Sequence, residues 1–200
     1  MLGTLTAMRH THPLHRPARG AGFTMIELMI VVVILAVLLA IAVPSMREFV
    51  ARKRVEGVAQ ELATDFRLLK SQQIQRRRFV GMLFNSNALV TCYSLYAYGT
   101  LSSNCDCTRG PGAACLNPGA AGSSEEIKTV IVPRSSGVTV SSAPALLRLF
   151  DAITPLGDAT IQANVQSNLG GNIRVSTNLL VQPSLCSVSG TSSSLPACAP

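Results

Sequence analysis

The sequence predicts an α+β protein in which one long N-terminal helix packs on an antiparallel β-sheet or sandwich domain that is held by disulfides. Three observations support this fold class. Residues 23–43 form an almost uninterrupted apolar run, with 19 of 21 residues hydrophobic. Apolar residues then recur at spacings of three or four to about residue 69, as on one helix face. From residue 79 the pattern alternates, and β-branched and aromatic residues become common, as in strands.

Composition divides the chain further. Of its 200 residues, 48% are hydrophobic, and these are concentrated in the apolar run. The formal charge is +7, but three arginines and all three histidines lie within residues 1–22. We therefore divide the chain into a basic leader (1–22), an apolar helix (23–43), an amphipathic helix (44–78) and a β-rich domain (79–200). Without the leader the charge is +4 and no histidine remains, which disfavours histidine-based catalysis or metal binding.

The apolar run is long enough to cross a bilayer, since 21 helical residues measure about 30 Å. One interpretation is a secretory signal peptide cleaved after Ala42, which would leave a secreted β-domain. A second is an ordinary N-terminal anchor. Neither explains Glu27, because a carboxylate among lipid-facing residues is unfavourable by a few kcal/mol and usually has a partner.

Residues 22–28, Gly-Phe-Thr-Met-Ile-Glu-Leu, resemble the prepilin signature of type IV pilins and type II secretion pseudopilins. The resemblance implies that a prepilin peptidase cuts between Gly22 and Phe23, that Phe23 is N-methylated, and that the helix is retained. The mature chain would have 178 residues. Met1 and Met8 are both possible starts, and either leaves the same three arginines in the leader.

The physical chemistry of this segment agrees with the resemblance. Gly22 has no Cβ, so a peptidase can approach its backbone closely. Glu27 can neutralise the α-amino group of Phe23, most simply on a neighbouring subunit, which turns two unfavourable membrane charges into a pair. Pro44 matches a proline common in the helix of the family, where it removes a backbone donor and kinks or loosens the helix.

The second half of the helix is amphipathic and suited to lie on a globular domain. A continuous helix from residue 23 to about 77 would be on the order of 80 Å long. Its expected apolar stripe consists of Met46, Phe49, Val50, Val55, Val58, Ala59, Leu62, Phe66 and Leu69.

Strands are predicted at 79–84, 89–97, 127–132, 137–140, 146–150, 160–166 and 172–177, with a weaker one at 179–181. Turn residues separate them. The order of elements, with Cys92-Tyr93 on an early strand and Phe150 before Pro155-x-Gly157 in a later hairpin, resembles the GspH/FimT family of minor pilins and pseudopilins. The tail from Ser184 is Ser-rich and is expected to bury little.

Six cysteines all lie in the part expected outside the membrane, which fits an oxidising periplasm. We favour a disulfide between Cys186 and Cys198, because it would close a terminal segment that otherwise has no core. The other four are expected to fasten the loop at residues 99–124 to the Cys92 strand. A thiolate metal site in that loop is disfavoured by its spacing and by the lack of histidine. The other cysteines are Cys105, Cys107 and Cys115.

Nucleic-acid binding has weak support. Some GspH/FimT proteins bind DNA through a Gly-Arg-x-Arg element after the last strand, and residues 178–181 here read Asn-Leu-Leu-Val. Candidate phosphate contacts are Arg76, Arg77, Arg78 and Arg174, although cations at a helix end are commonly just solvated. No catalytic constellation, cofactor motif or metal site is evident.

The sequence therefore favours a minor pilin that assembles with other pilins on an inner-membrane platform. A GspH-type pseudopilin of type II secretion is the alternative, and a secreted β-domain is a lower one. We expect a single-pass inner-membrane protein with its N-terminus cytoplasmic and its C-terminal domain periplasmic, later part of a pilus or pseudopilus.

Overall fold

A computed structural model of the chain describes residues 22–76, 79–98, 105–116, 123–143, 146–149, 161–178, 182–188 and 195–198. The chain divides into two compact units, Met1–Ala42 and Val43–Pro200. One helix, α1 (Met25–Arg76), supplies residues to both. It ends one residue before the expected end at Arg77, and Arg77 and Arg78 lie outside the described residues.

In the N-terminal unit, the α1 side chains are exposed all round. A helix is stable in water only where one face is buried, so this surface needs lipid or other helices. Among the described residues, α1 is the one helix long and apolar enough to cross a membrane.

The C-terminal unit contains two four-stranded antiparallel sheets. The first has the order β3-β2-β1-β5 and the second β4-β6-β7-β8. Their strands are β1 (Phe79–Ser86), β2 (Val90–Tyr98), β3 (Glu125–Pro133), β4 (Val138–Ala143), β5 (Leu146–Leu149), β6 (Gln162–Ser167), β7 (Asn172–Thr177) and β8 (Pro183–Ser187). The predicted α+β class is confirmed.

A single apolar core joins one face of α1 to the inner faces of both sheets. From the helix, Val55, Leu62 and Phe66 are fully buried in it. The strands contribute alternate residues, as the two-residue period requires. Their members include Val80, Met82, Phe84, Tyr93, Leu95, Val140, Val165, Ile173 and Val175.

The buried stripe of α1 begins later than the sequence suggests. Met46, Phe49 and Val50 belong to the expected stripe, but all three are exposed and burial begins at Ala51. Their helical spacing therefore does not mark the packed face. These residues extend the exposed apolar surface of α1 about two turns beyond Val43.

The C-terminal end also differs from expectation. The tail was expected to bury little, yet β8 pairs with β7 along Pro183–Ser187, and Ser187 is buried. The weaker predicted strand at 179–181 lies outside the described residues. Beyond β8, the backbone of Ser187 bonds to Pro196 and Cys198, so residues 195–198 form a parallel bridge with the end of β8.

Three disulfides join the six cysteines in pairs: Cys92–Cys107, Cys105–Cys115 and Cys186–Cys198. The Cys92–Cys107 bond fastens residues 105–116 to β2 over the outer face of the first sheet, and the Cys105–Cys115 bond closes that loop on itself. Tyr96 and Leu83 pack beside the second bond. Glu126 on β3 fixes the loop further, since its carboxylate accepts the backbone N–H groups of Gly112 at 2.8 Å and Ala114 at 3.0 Å. The sheet therefore has a covalently fastened cover on this face.

Candidate functional site

The beginning of α1 is built by a side-chain cap. Gly22, Phe23 and Thr24 are not helical, and the helix begins at Met25. The Thr24 hydroxyl accepts the backbone N–H of Glu27 at 3.3 Å, which satisfies one of the donors left free at a helix start. The Gly22–Phe23 peptide bond consequently lies just ahead of the helix, in backbone that is free of helical hydrogen bonds.

Sequence reasoning missed this role of Thr24. Its signal was present, because Thr-x-x-Glu before an apolar run is the signature of a capping box. Glu27 therefore occupies the third helical position, where a carboxylate also interacts favourably with the positive end of the helix dipole.

Gly22 is unconstrained by its own chain. A Cβ built on it would meet nothing within 4 Å. The fold therefore places no demand for glycine at this position. Any such demand comes from a molecule that approaches the backbone from outside.

Glu27 is exposed on α1 within the apolar run. In the part of the chain that the structure describes, no lysine or arginine forms an ion pair with it. In lipid such a carboxylate is unfavourable by at least a few kcal/mol unless it is paired. Pairing of Glu27 with a cation outside its own chain therefore stays a prediction.

Pro44 lies inside α1, which runs through it without interruption. The pyrrolidine ring leaves one helical carbonyl without its N–H donor. Pro44 is two residues after the end of the N-terminal unit at Ala42, so the missing hydrogen bond falls near the boundary between the two units.

A second charged cluster lies between α1 and the first sheet. Asp65 on α1 is buried and accepts a hydrogen bond from the Tyr93 hydroxyl at 2.9 Å. Both of its carboxylate oxygens lie 2.8 Å from the Lys128 ammonium of β3, which also contacts Glu61 at 3.1 Å. We call these four residues, Glu61, Asp65, Tyr93 and Lys128, the helix clamp.

The titration of the clamp follows from burial and charge. Burial raises the pKa of the Tyr93 phenol, and the neighbouring Asp65 carboxylate adds to the effect. For Lys128, burial opposes the charged form, but hydrogen bonds to Asp65 and Glu61 outweigh it and raise the pKa. Both groups thus keep their protons in the folded protein. Sequence reasoning missed this cluster, whose one local signal was an aspartate beside the apolar stripe.

The arginine candidates do not form one patch. Arg76 forms an ion pair with Glu125 at 2.7 Å and also donates to Gln72. Arg174 is half-buried on β7 and donates to Asn164 on β6. Arg77 and Arg78 lie outside the described residues. Arg76 and Arg174, the two candidates that the structure describes, are thus bonded to protein groups and lie on different elements.

The six cysteines are all in disulfides, so none is a thiolate ligand. Over the described ranges, no group of three or more histidine, cysteine, aspartate or glutamate side chains is arranged to hold a metal ion. The geometry in hand is therefore that of a capped apolar helix with an exposed peptide bond before it and a disulfide-stapled β domain after it.

Comparison with known proteins matches the first of these features, the capped apolar helix and the peptide bond before it. Residues 18–43 match the family model described as the prokaryotic N-terminal methylation motif. Type IV major fimbrial proteins FimA of Dichelobacter nodosus are 52% identical to the chain over 40 residues, which is 20% of this chain. The matched segment spans about a quarter of the length of these relatives, 26% in each. No solved structure matches the chain.

Proposed function

We propose that this type IV prepilin-like chain is a minor pilin, a structural subunit of a type IV pilus that acts in assembly initiation, at the tip or in DNA uptake. One observation carries the proposal: the Gly22–Phe23 bond lies directly ahead of a Thr24-capped, exposed apolar helix that bears the carboxylate of Glu27. The methylation-motif match covers this same segment.

Processing is the first proposed step. A prepilin peptidase hydrolyses the Gly22–Phe23 bond, releases residues 1–22, and leaves Phe23 with an α-amino group that is then methylated. The Thr24 cap supports this step, because a protease needs its substrate backbone extended and the cap keeps the helix from extending back over Phe23.

Assembly is the second proposed step. The apolar half of α1 holds the chain in the inner membrane, with the C-terminal unit on the periplasmic side, where disulfides form. On transfer to the filament, helices of other pilins replace lipid around residues 23–43. Glu27 sets the register, since it pairs with the Phe23 amino group of a neighbouring subunit.

Two further candidates share this segment. A GspH-type pseudopilin of type II secretion would be processed and assembled in the same way. The similar proteins are named as fimbrial, which favours the pilus, as does the disulfide-fastened loop at residues 105–116. A secreted β-domain cleaved after Ala42 is less favoured, because it leaves the methylation motif and Glu27 without a role.

DNA uptake by direct contact is the least supported part of the proposal. Arg76 is paired with Glu125, and Arg174 is half-buried against Asn164. An enzymatic role is not proposed, since the similar proteins are structural subunits by name.

The test is the mass of the N-terminal peptide of the protein purified from its native membrane. The proposal expects a chain that begins at N-methylated Phe23 and has lost residues 1–22. A chain beginning at Val43 would contradict it and assign a secreted β-domain instead.

A further inference from the structure

Four segments meet at one end of the C-terminal unit. Arg54 donates to the Ser136 carbonyl at 3.2 Å, so α1 touches the turn after β3. That turn reaches the β1–β2 hairpin, because the Arg134 N–H bonds to Leu89 and its side chain to Asn87. We call residues 52–54, 87–89, 134–137 and 166–171 the basic rim.

The β6–β7 turn completes the rim. A Cβ on Gly137 would lie 3.1 Å from Asn168, and one on Gly171 would lie 3.7 Å from the Arg52 side chain. Both glycines have positive φ, 73° and 96°, which fits these tight turns. Residues 134–137 thus contact each of the other three segments, and the four together form one continuous surface.

The rim is positively charged. Its four segments contain Arg52, Lys53, Arg54 and Arg134 and no carboxylate. The flanking Glu48 and Glu56 pair with Arg52 and Lys53. Arg54 and Arg134 donate to backbone carbonyls instead, so among the described residues no carboxylate neutralises them.

The rim also displays large apolar side chains. Leu89 at the β1–β2 turn is 76% exposed, and Leu169 at the β6–β7 turn is 53% exposed. Beside the β6–β7 turn lies an open cleft of about 520 Å³. It is lined by Arg134, Gly137, Thr139, Gln166, Ser167 and Asn168.

The position of the rim along the chain identifies its partner. The C-terminal unit begins at Val43, the last residue of the apolar run, and Arg52 follows nine residues later, about 14 Å along a helix. The opposite end of β3, where Arg76 pairs with Glu125, is farther along α1 from the apolar run. Basic side chains beside exposed leucines, a few helical turns along the chain from an apolar run, are the chemistry of a surface that binds anionic lipid.

We propose that the basic rim docks on an anionic phospholipid surface, with Leu89 and Leu169 inserted at the headgroup level and Arg54 and Arg134 facing lipid phosphates. The proposal rests on membrane anchoring by the apolar run, as proposed above. It gives the C-terminal unit a defined face toward the bilayer while the subunit waits in the membrane.

The experiment uses the absence of tryptophan from the chain. Full-length Leu89→Trp and Leu169→Trp variants each carry one fluorophore on the rim. Leu116→Trp is the matched control, because Leu116 is 50% exposed and its loop is held by Glu126 at the other end of β3. Each is reconstituted into phosphatidylcholine vesicles with and without 30% phosphatidylglycerol, with brominated lipid as quencher.

We expect blue-shifted emission and strong bromine quenching for both rim variants in the anionic vesicles alone, and neither for Leu116→Trp. Adding Arg134→Gln should lower the docked-to-free ratio by about fivefold, whereas Arg67→Gln on the exposed face of α1 should not. Salt at 1 M should abolish the quenching, because it screens charges beyond about 3 Å.

Other results would overturn the proposal. If Leu116→Trp is quenched as strongly as the rim variants, the rim is not the docking surface. If quenching is equal in uncharged vesicles, docking does not depend on anionic lipid. Emission shifts that grow with chain density assign the surface to contacts between copies, and shifts on adding duplex DNA in detergent assign it to nucleic acid. Vesicle flotation separates the two proposals: a chain that floats without rim quenching keeps its anchor but lacks docking, and one that does not float contradicts anchoring itself.

Discussion

Glu27 gives the sharpest prediction at the scale of single residues. It is an exposed carboxylate in an apolar run and has no cation partner among the described residues. Glu27→Ala should be cleaved and methylated normally, because the Thr24 cap uses the backbone of residue 27 and is retained. Incorporation into filaments should fall by about a hundredfold, since roughly 3 kcal/mol of paired charge is lost and the amino group of the neighbour is left uncompensated.

The measurement compares the amount of mature subunit in sheared filaments with that in membranes. Glu48→Ala is the matched control, because it removes a carboxylate from the same helix where it forms an exposed pair with Arg52. Its incorporation should be unchanged. Filament levels of Glu27→Ala equal to wild type would contradict the register-setting role.

Substitution of Gly22 tests whether glycine at this position is needed for folding or for cleavage by the peptidase. A Cβ at this position meets nothing within 4 Å. Gly22→Val should therefore leave the thermal unfolding of the protein unchanged and block cleavage, so that the heavier uncleaved chain accumulates in membranes. Electrophoretic mobility and N-terminal sequencing measure the two effects. Cleavage of Gly22→Val at the wild-type rate would show that close approach to this backbone is not needed.

At the scale of elements, the helix clamp determines how α1 is held on the first sheet. Asp65→Ala leaves the buried Tyr93 hydroxyl without its acceptor and Lys128 with Glu61 alone, so we expect a loss of about 3 kcal/mol in the free energy of unfolding. Glu61→Ala removes only an exposed partner of Lys128 and should change it by less than about 1 kcal/mol. Urea unfolding with the disulfides intact measures both. Equal effects of the two substitutions would contradict the clamp.

The same clamp predicts how stability depends on pH. Tyr93 and Lys128 both have a raised pKa in the folded state, so folding favours their protonated forms. Their contribution is complete below the ordinary Tyr pKa of 10.0 and is lost as the pH rises above it. The urea midpoint should therefore fall between pH 9 and 11 for the wild type and fall less steeply for Tyr93→Phe. Identical slopes for the two proteins would contradict this account.

The elements also show what sequence patterns can establish. The helix and the β-rich region were predictable because their periods of 3.6 and 2 residues are local. The start of the packed stripe was not, since Met46, Phe49 and Val50 have helical spacing but no protein surface beside them. Strand β8 escaped because a Ser-rich edge strand is stabilised by pairing with β7 and by the Cys186–Cys198 bond, not by its own pattern.

The same distinction applies to the sites. Gly22, Phe23 and Glu27 lie within six consecutive residues, so their relation is visible in the sequence. Asp65, Tyr93 and Lys128 are 28 to 63 residues apart and meet only through the packing of α1 on β2 and β3. A cluster made by tertiary structure has no local signature in the sequence. A buried carboxylate nevertheless always requires such a cluster of partners.

At the scale of the whole molecule, the two units have opposite relations to solvent. The described part of the N-terminal unit, residues 22–42, exposes its apolar side chains, whereas the C-terminal unit has a buried apolar core and three disulfides. Such a chain is stable only where lipid or other helices cover the first unit, while the second tolerates an oxidising aqueous compartment. A filament subunit that is stored in a membrane meets both conditions, in pili and in pseudopili alike.

Loss of the whole subunit distinguishes these two systems, because they move different cargo with the same subunit architecture. Deleting the gene should abolish twitching motility and surface filaments and leave the export of folded exoproteins unchanged, if the chain serves a pilus. Complementation by wild type should restore both pilus phenotypes, and Glu27→Ala should restore neither, since unassembled subunits do no mechanical work. Loss of exoprotein export with normal twitching would assign the chain to type II secretion instead.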